Sequence, residues 1–198
     1  LVYISTSGVY GDCGGNWVNE TRPVAPVNGR AVRRVDAERQ LRHWGETQRV
    51  QVTILRAPGI YAADRLPLER IRRGTPALVA EDDSYTNHIH ADDLARLAWA
   101  ALFRGRSQRI YHAVDAHPLK MGDWFDSCAD AFELPRPPRV KRAEAETVLS
   151  EALLSFLRES RQLSNARTTR ELRLKYRYPT SDDLLREIRL SRGQMKLF

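Results

Sequence analysis

Short apolar runs that end in small polar residues alternate along this chain with longer stretches whose apolar residues recur every three or four positions. The first run, Leu1-Val2-Tyr3-Ile4, is β-prone and stops at Ser5-Thr6-Ser7-Gly8, which predicts a buried strand with hydroxyls at its carboxyl end. Residues 50–57 form a second, β-branched run closed by Pro58-Gly59. Residues 76–80 and 109–115 read as further strands. Between them lie helical patterns. Asn28 is placed to cap a helix over 28–45 with Val32, Val35, Ala37 and Leu41 inward. Residues 66–73 form a short helix stopped by Gly74. Asp92 is placed to cap a helix with Leu94, Leu97, Ala98, Ala101 and Leu102 on its apolar face.

The last third is mostly helical. Trp124, Phe125, Cys128, Ala129 and Phe132 form an aromatic stripe of core type, ended by Pro135, Pro137 and Pro138. Residues 143–159 read as one long helix with Val148, Leu149, Ala152, Leu153, Phe156 and Leu157 inward. A short helix ends at Glu171-Leu172. Thr180 or Ser181 caps a final helix over 182–190, and the basic tail 191–198 is expected to fray. The alternation of strands and helices predicts an α/β fold with a parallel sheet over 1–115, followed by a small helical region over 116–198. In open sheets of this kind ligands bind at the carboxyl ends of the strands.

Composition narrows the function classes. A hydrophobic content of 42% and a charged content of 29% suit a globular chain, and no apolar run approaches the roughly 20 residues of a membrane span, so no membrane partner is expected. Cys13 and Cys128 lie far apart without metal-ligand spacing and read as free thiols of a cytoplasmic protein. His88 and His90 form a His-x-His pair with no third ligand nearby, so no metal is expected. The net charge of +7 comes from arginines spread over many segments beside Glu, Asp or Leu, which fits solvated helix faces and not a nucleic-acid stripe.

Several motifs occur in a telling order: Ser5-Thr6-Ser7-Gly8-Val9-Tyr10-Gly11, Glu20-Thr21-Arg22-Pro23, Leu55-Arg56-Ala57-Pro58-Gly59-Ile60-Tyr61, Ile89-His90-Ala91-Asp92-Asp93-Leu94-Ala95, and Tyr178-Pro179-Thr180. Together they resemble the extended, atypical short-chain dehydrogenase/reductase superfamily, the NAD-dependent epimerase/dehydratase group, and most of all its YeeZ-like branch. The resemblance implies the C-terminal part of a Rossmann-type doubly wound parallel sheet with a small helical substrate region. It also implies NAD or NADP as cofactor and a nucleotide-sugar or other carbonyl/hydroxyl small molecule as substrate. The group's glycine-rich phosphate turn is not found here. Gly11, Gly14 and Gly15 precede a loop and not a helix, so the expectation is that the glycine-rich half lies upstream of Leu1 and that this chain alone is an incomplete domain.

The resemblance also assigns residues. Thr6 would orient the substrate's reacting oxygen, and Ser5 and Thr6 would lie against the cofactor. Pro58, Gly59, Ile60 and Tyr61 would frame the nicotinamide, while Ser7, Tyr10 and His88 would face substrate. Aligned on Asp36-Ala37-Glu38, the family's Tyr-x-x-x-Lys pair falls on Arg30 and Arg34. Arginine does not give up a proton at working pH, so Arg30 cannot act as the proton-exchanging tyrosine does, whereas Arg34 can still bind cofactor ribose or phosphate. Tyr10 and Asp12 stand in reach as replacements. Arg30, Arg34, Glu38 and Arg42 share one helix face, read from spacing as a salt-bridged surface row. The same helix often pairs subunits in this superfamily, which makes a homodimer the expectation. The alternative reading is a non-catalytic NAD(P)-binding sensor or scaffold.

Overall fold

A computed structural model describes residues 1–195. Strand β1 (Val2–Thr6) runs into a 3-10 turn over Ser7–Tyr10 and, after an irregular stretch, the short β2 (Trp17–Val18). Helix α1 (Gly29–Gln48) leads to β3 (Thr53–Ala57) and β4 (Gly59–Tyr61). Then come α2 (Leu68–Arg72), β5 (Ala77–Leu78), β6 (Tyr85–Thr86), β7 (His88–His90), α3 (Ala91–Arg104) and β8 (Arg109–His112). The remainder holds β9 (Leu119–Lys120), α4 (Met121–Ala131), β10 (Arg139–Val140), α5 (Arg142–Val148), α6 (Glu151–Leu157), β11 (Gln162–Leu163), α7 (Ala166–Leu172) and α8 (Ser181–Met195).

Three parallel strands in the order β1-β3-β8 form the main sheet. Every residue of β3 is buried, as its continuous apolar and β-branched run requires of a central strand. The register sets Thr6 beside Ala57, and Ser5, Arg56 and His112 in one row, so the strands' carboxyl ends lie along one edge. Just beyond that edge β4 pairs in parallel with β7, with Gly59 opposite His88 and Tyr61 opposite His90. A Cβ on Gly59 would lie only 3.1 Å from His88 Cδ2, so glycine is what lets these strand ends close up. Leu55, Leu97, Ala101 and Tyr111 pack between sheet and α3, while Val9, Val18, Val35 and Leu163 form the cluster on the α1 side. Trp124, Phe125 and Cys128 of α4 join Tyr61, Leu184 and Leu185 in a third cluster, which anchors the helical part to the strand ends. No helix among the described residues is long and apolar enough to cross a membrane.

The structure departs from the sequence reading in several places. Asn28 does cap α1, accepting from Ala31 N at 2.9 Å, a contact of the kind that contributes about 1 kcal/mol. The inward face, however, is Ala31, Val35, Glu38 and Gly45, and Val32 is 50% exposed. The expected long helix over 143–159 is two: Leu149 is extended (φ −99°, ψ 148°), and α6 restarts after Ser150. Val148 and Phe156 consequently face outward, and the side chain of Ala152 lies outside the described residues. Helix α3 is capped by His90, whose Nδ1 accepts from Asp92 N at 3.1 Å, and not by Asp92; Leu102 faces out. The tail expected to fray from Ser191 continues α8 to Met195, and 196–198 lie outside the described residues.

Candidate cofactor and substrate cleft

A cleft of about 570 Å³ opens at the carboxyl edge of β1 and β3, bounded by the start of α1, by β4, and by the helical region. Its lining takes in Ser5, Thr6 and Ser7 from the end of β1, Arg30 and Arg34 from α1, Pro58, Gly59, Ile60 and Tyr61 from the β3–β4 corner, and His88 from β7. These residues come from four separate stretches, and the parallel register brings them to one place. The polar groups differ in their commitments. Thr6 Oγ1 accepts from Gly8 N at 3.2 Å, which caps the 3-10 turn and leaves the hydroxyl hydrogen free to donate. Ser5 is turned to the helix side, where its hydroxyl donates to Glu38 Oε1 at 2.5 Å.

Arg34 donates to Tyr3 Oη at 2.8 Å and to the Ile4 carbonyl at 3.4 Å, which fixes the guanidinium beside the strand end. Arg30 lies over the Phe156 ring at 5.4 Å, a cation–π contact that orients the charge without neutralising it. Neither arginine has a carboxylate partner among the described residues. His88 is buried, tilted against Trp124 at 4.6 Å between ring centroids, and its Nδ1 has no hydrogen-bond partner. Burial holds its pKa down to about 4, so the imidazole is neutral at ordinary pH. Tyr61 donates to the Thr180 carbonyl at 3.3 Å, and burial, with nearby aspartates, pushes its phenol far above the usual range, which removes it from proton exchange.

Tyr10 does not reach this cleft. Its side chain is 1% exposed and its hydroxyl lies 2.7 Å from His112 Nε2. Burial raises its pKa to about 12, against the lowering influence of Arg56, whose guanidinium lies 4.8 Å from the ring centre. Glu38, read from spacing as a surface residue, is the hub of the interior here. It takes the Ser5 hydroxyl and a two-pronged contact from Arg56, at 3.1 Å from Nε and 2.6 Å from the terminal nitrogen. Asp12, the other replacement, is exposed; it accepts from Gly14 N at 3.1 Å and Ser160 N at 2.8 Å, which ties it into the surrounding loops.

Sequence reasoning missed Arg65, Tyr85, Phe156, Glu159 and Arg161, which also line the cleft. Glu159 and Arg161 arrive through the pairing of β11 with β2, and Arg161 donates to the Gly11 carbonyl at 2.7 Å and to Glu159 at 2.9 Å. Asn28, the α1 cap, also donates to Glu159, at 3.3 Å. Nothing local in the sequence marks these residues as members of a site, because the fold gathers them on the cleft from distant stretches of the chain.

Solved structures with the same fold extend the picture. A functionally unknown conserved protein from Silicibacter pomeroyi superposes with a TM-score of 0.84 at 29% identity, over 96% of this chain and 65% of its own. DesIV, a dTDP-glucose 4,6-dehydratase from Streptomyces venezuelae bound to NAD and TYD, gives 0.72 at 22% identity, over 100% and 61%. RMD from Pseudomonas aeruginosa, complexed with NADPH, gives 0.71 at 19%, over 94% and 64%. The chain thus spans less than two thirds of the length of each. A comparison with curated proteins gives no match. The model of the NAD dependent epimerase/dehydratase family matches residues 1–114, more than half of the chain, and the parallel sheet and strand-edge cleft agree with it: the chain belongs to the NAD dependent epimerase/dehydratase family.

Proposed function

We propose that this chain forms the strand-edge and substrate side of an NAD(P)-dependent, epimerase-like oxidoreductase site, with Arg30 and Arg34 in place of a proton-exchanging tyrosine and its lysine. The observation that carries this is the convergence of residues 5–7, 30, 34, 58–61 and 88 on one cleft at the carboxyl edge of a parallel sheet. The residues present fit a nicotinamide nucleotide. Gly59 has no side chain and is exposed, so backbone meets the ligand directly; Thr6 offers a hydroxyl; Arg34 is held beside the strand end without a counter-charge. When bound, NAD(P) supplies the capacity for hydride transfer. Arg34 would bind ribose or phosphate oxygens, residues 58–61 would orient the nicotinamide, and Thr6 would hold the substrate's reacting oxygen. Ser7 and His88 would line the space for a nucleotide-sugar or other carbonyl or hydroxyl compound.

Fluorescence titration of the full chain with NADH and NADPH tests this. The expected result is saturable binding of at least one, weakened tenfold or more by Arg34→Ala, equivalent to about 1.4 kcal/mol. Absence of binding to both sinks the reading. Arg30 favours a second reading, a cofactor-binding sensor without turnover, because a guanidinium does not cycle a proton. Binding of NADH together with no turnover of any carbonyl or sugar-nucleotide substrate, in wild type and Arg30→Ala alike, would select it. The exposed Val32 and Trp44 on α1 support a homodimer through that helix, which sedimentation of wild type and Trp44→Glu would test.

A further inference from the structure

Helix α3 is pinned to the sheet through Leu94, Leu97 and Ala101, yet its outer face carries large aromatic side chains. Trp99 is 67% exposed and Phe103 71%. The two rings lie one turn apart, 5.3 Å between centroids, in line with Ala95. Residues 172–178 run back along this helix. Arg104, at the end of α3, donates to the carbonyls of Leu172 and Arg173 at 2.9 and 3.3 Å. Asp93, at its start, accepts from the backbone N–H groups of Arg177 and Tyr178 at 2.9 and 2.8 Å. Side chains alternate along the segment: Leu174 and Tyr176 pack against the cluster that α3 shares with the sheet, while Arg173, Lys175 and Arg177 are exposed. A groove of about 520 Å³ lies between helix and segment, lined by Ala95, Trp99, Ala100, Phe103 and Leu174, with Arg96 and Arg104 its charged members. The stripe from Ala95 to Phe103 spans roughly 12 Å, about two helical turns. The groove shares no lining residue with the cleft at the strand ends. Its charges are one-sided. Asp93 is taken by Arg96 at 2.8 Å, Asp92 by Arg177 at 3.6 Å, and Glu171 by Arg109 at 2.6 Å. Arg104, Arg173 and Lys175 have no carboxylate partner among the described residues.

We propose that this groove docks an acidic, amphipathic helical segment of a partner protein. The segment's apolar side chains pack on Trp99, Phe103 and Leu174, and its carboxylates meet Arg104, Arg173 and Lys175. The argument is one of complementarity: an apolar groove about two turns long, edged by cations without counter-charges, matches a helix with an apolar stripe and acidic flanks. Exposed tryptophan and arginine side by side are also the residues that most often carry the energy of such contacts. A second copy of this chain fits poorly, because a two-fold contact through this face would set Arg104, Arg173 and Lys175 against their own duplicates. A flat lipid surface reaches the exposed rings but not Leu174, which is half-buried between helix and segment. The proposal does not depend on what the cleft binds.

Fluorescence anisotropy with three labelled peptides tests it. One is a designed helix with Leu at every third or fourth position and Glu elsewhere, one has the same composition in scrambled order, and one has Lys in place of Glu. The proteins are the wild type, Trp99→Ala, the double variant Arg173→Glu with Lys175→Glu, and Arg72→Glu as an exposed control outside the groove. The acidic amphipathic peptide is expected to bind the wild type, tenfold or more tighter than either other peptide. Its affinity should fall tenfold or more in Trp99→Ala and in the double variant, and stay unchanged in Arg72→Glu. No binding of that peptide, equal binding by wild type and Trp99→Ala, or equal binding of the scrambled peptide overturns the proposal. Co-sedimentation with phosphatidylglycerol vesicles is run beside it: capture that depends on Trp99, without peptide binding, would assign the face to a lipid surface instead. Self-association abolished by Trp99→Ala, again without peptide binding, would assign it to a second copy. Thermal melts establish that each variant is folded, as expected of substitutions at exposed positions.

Discussion

Arg30 and Glu38 stand two turns apart in the same row of α1, yet their surroundings are opposite. Glu38 lies over the polar row Ser5–Arg56–His112 and is 4% exposed, with its oxygens taken by Ser5 and Arg56. Arg30, nearer the helix start, has passed beyond the sheet's edge and opens on the cleft with only a ring beneath it. The helix runs from the cleft onto the sheet, so equal spacing places one charge in the core and the other at the cleft. A buried ion pair holds structure because removing one partner strands the other. An uncompensated charge at an edge holds nothing and is available for binding.

The sharpest way to break this contrast is Glu38→Ala. It leaves Arg56 buried without its partner, and urea denaturation is expected to show a loss of about 3–5 kcal/mol. Next comes pH. His88 and His112 have folded pKa values lowered to about 4, mainly by burial, below the unfolded value of about 6.5. The fold keeps both neutral, so stability is full above about pH 6.5 and falls by a few kcal/mol as pH drops toward 4. Asp115 acts in the opposite sense, since burial raises its carboxyl well above the ordinary value and its stabilisation is lost as pH rises. His112→Gln separates the two, because the slope between pH 6.5 and 4 should shrink in the variant. Tyr10→Phe removes the hydroxyl from His112 and should cost about 1 kcal/mol in the same denaturation assay. The smallest expected effect on stability is that of Arg30→Gln, within about 0.5 kcal/mol, read by thermal melting. A large loss there would erase the difference between the two ends of the row.

Much of this was legible locally. The hydroxyl ending of β1, the Asn28 cap, the Pro-Gly corner and the helix after His90 are set by adjacent residues, and local chemistry places them. The cleft's first members, 5–7, 30, 34, 58–61 and 88, followed from family motifs. Glu38 was misplaced because helix spacing reveals which residues share a face and not which part of that face the sheet covers. Tyr10 was misplaced because its partner, His112, lies on another strand. The break at Leu149 hid among good helix formers on both sides, with Ser150 before Glu151 its only local sign. Arg65, Glu159 and Arg161 join the cleft only through the tertiary fold.

On the function proposed above, one end of α1 serves the ligand, while the Glu38 end serves the fold. NADH titration of wild type and Arg34→Gln, with thermal melts of the same samples, tests that division. Saturable binding by the wild type is expected, weakened tenfold or more in the variant at an unchanged melting temperature. Equal binding by the two proteins, or a variant that loses stability in step with affinity, would contradict it.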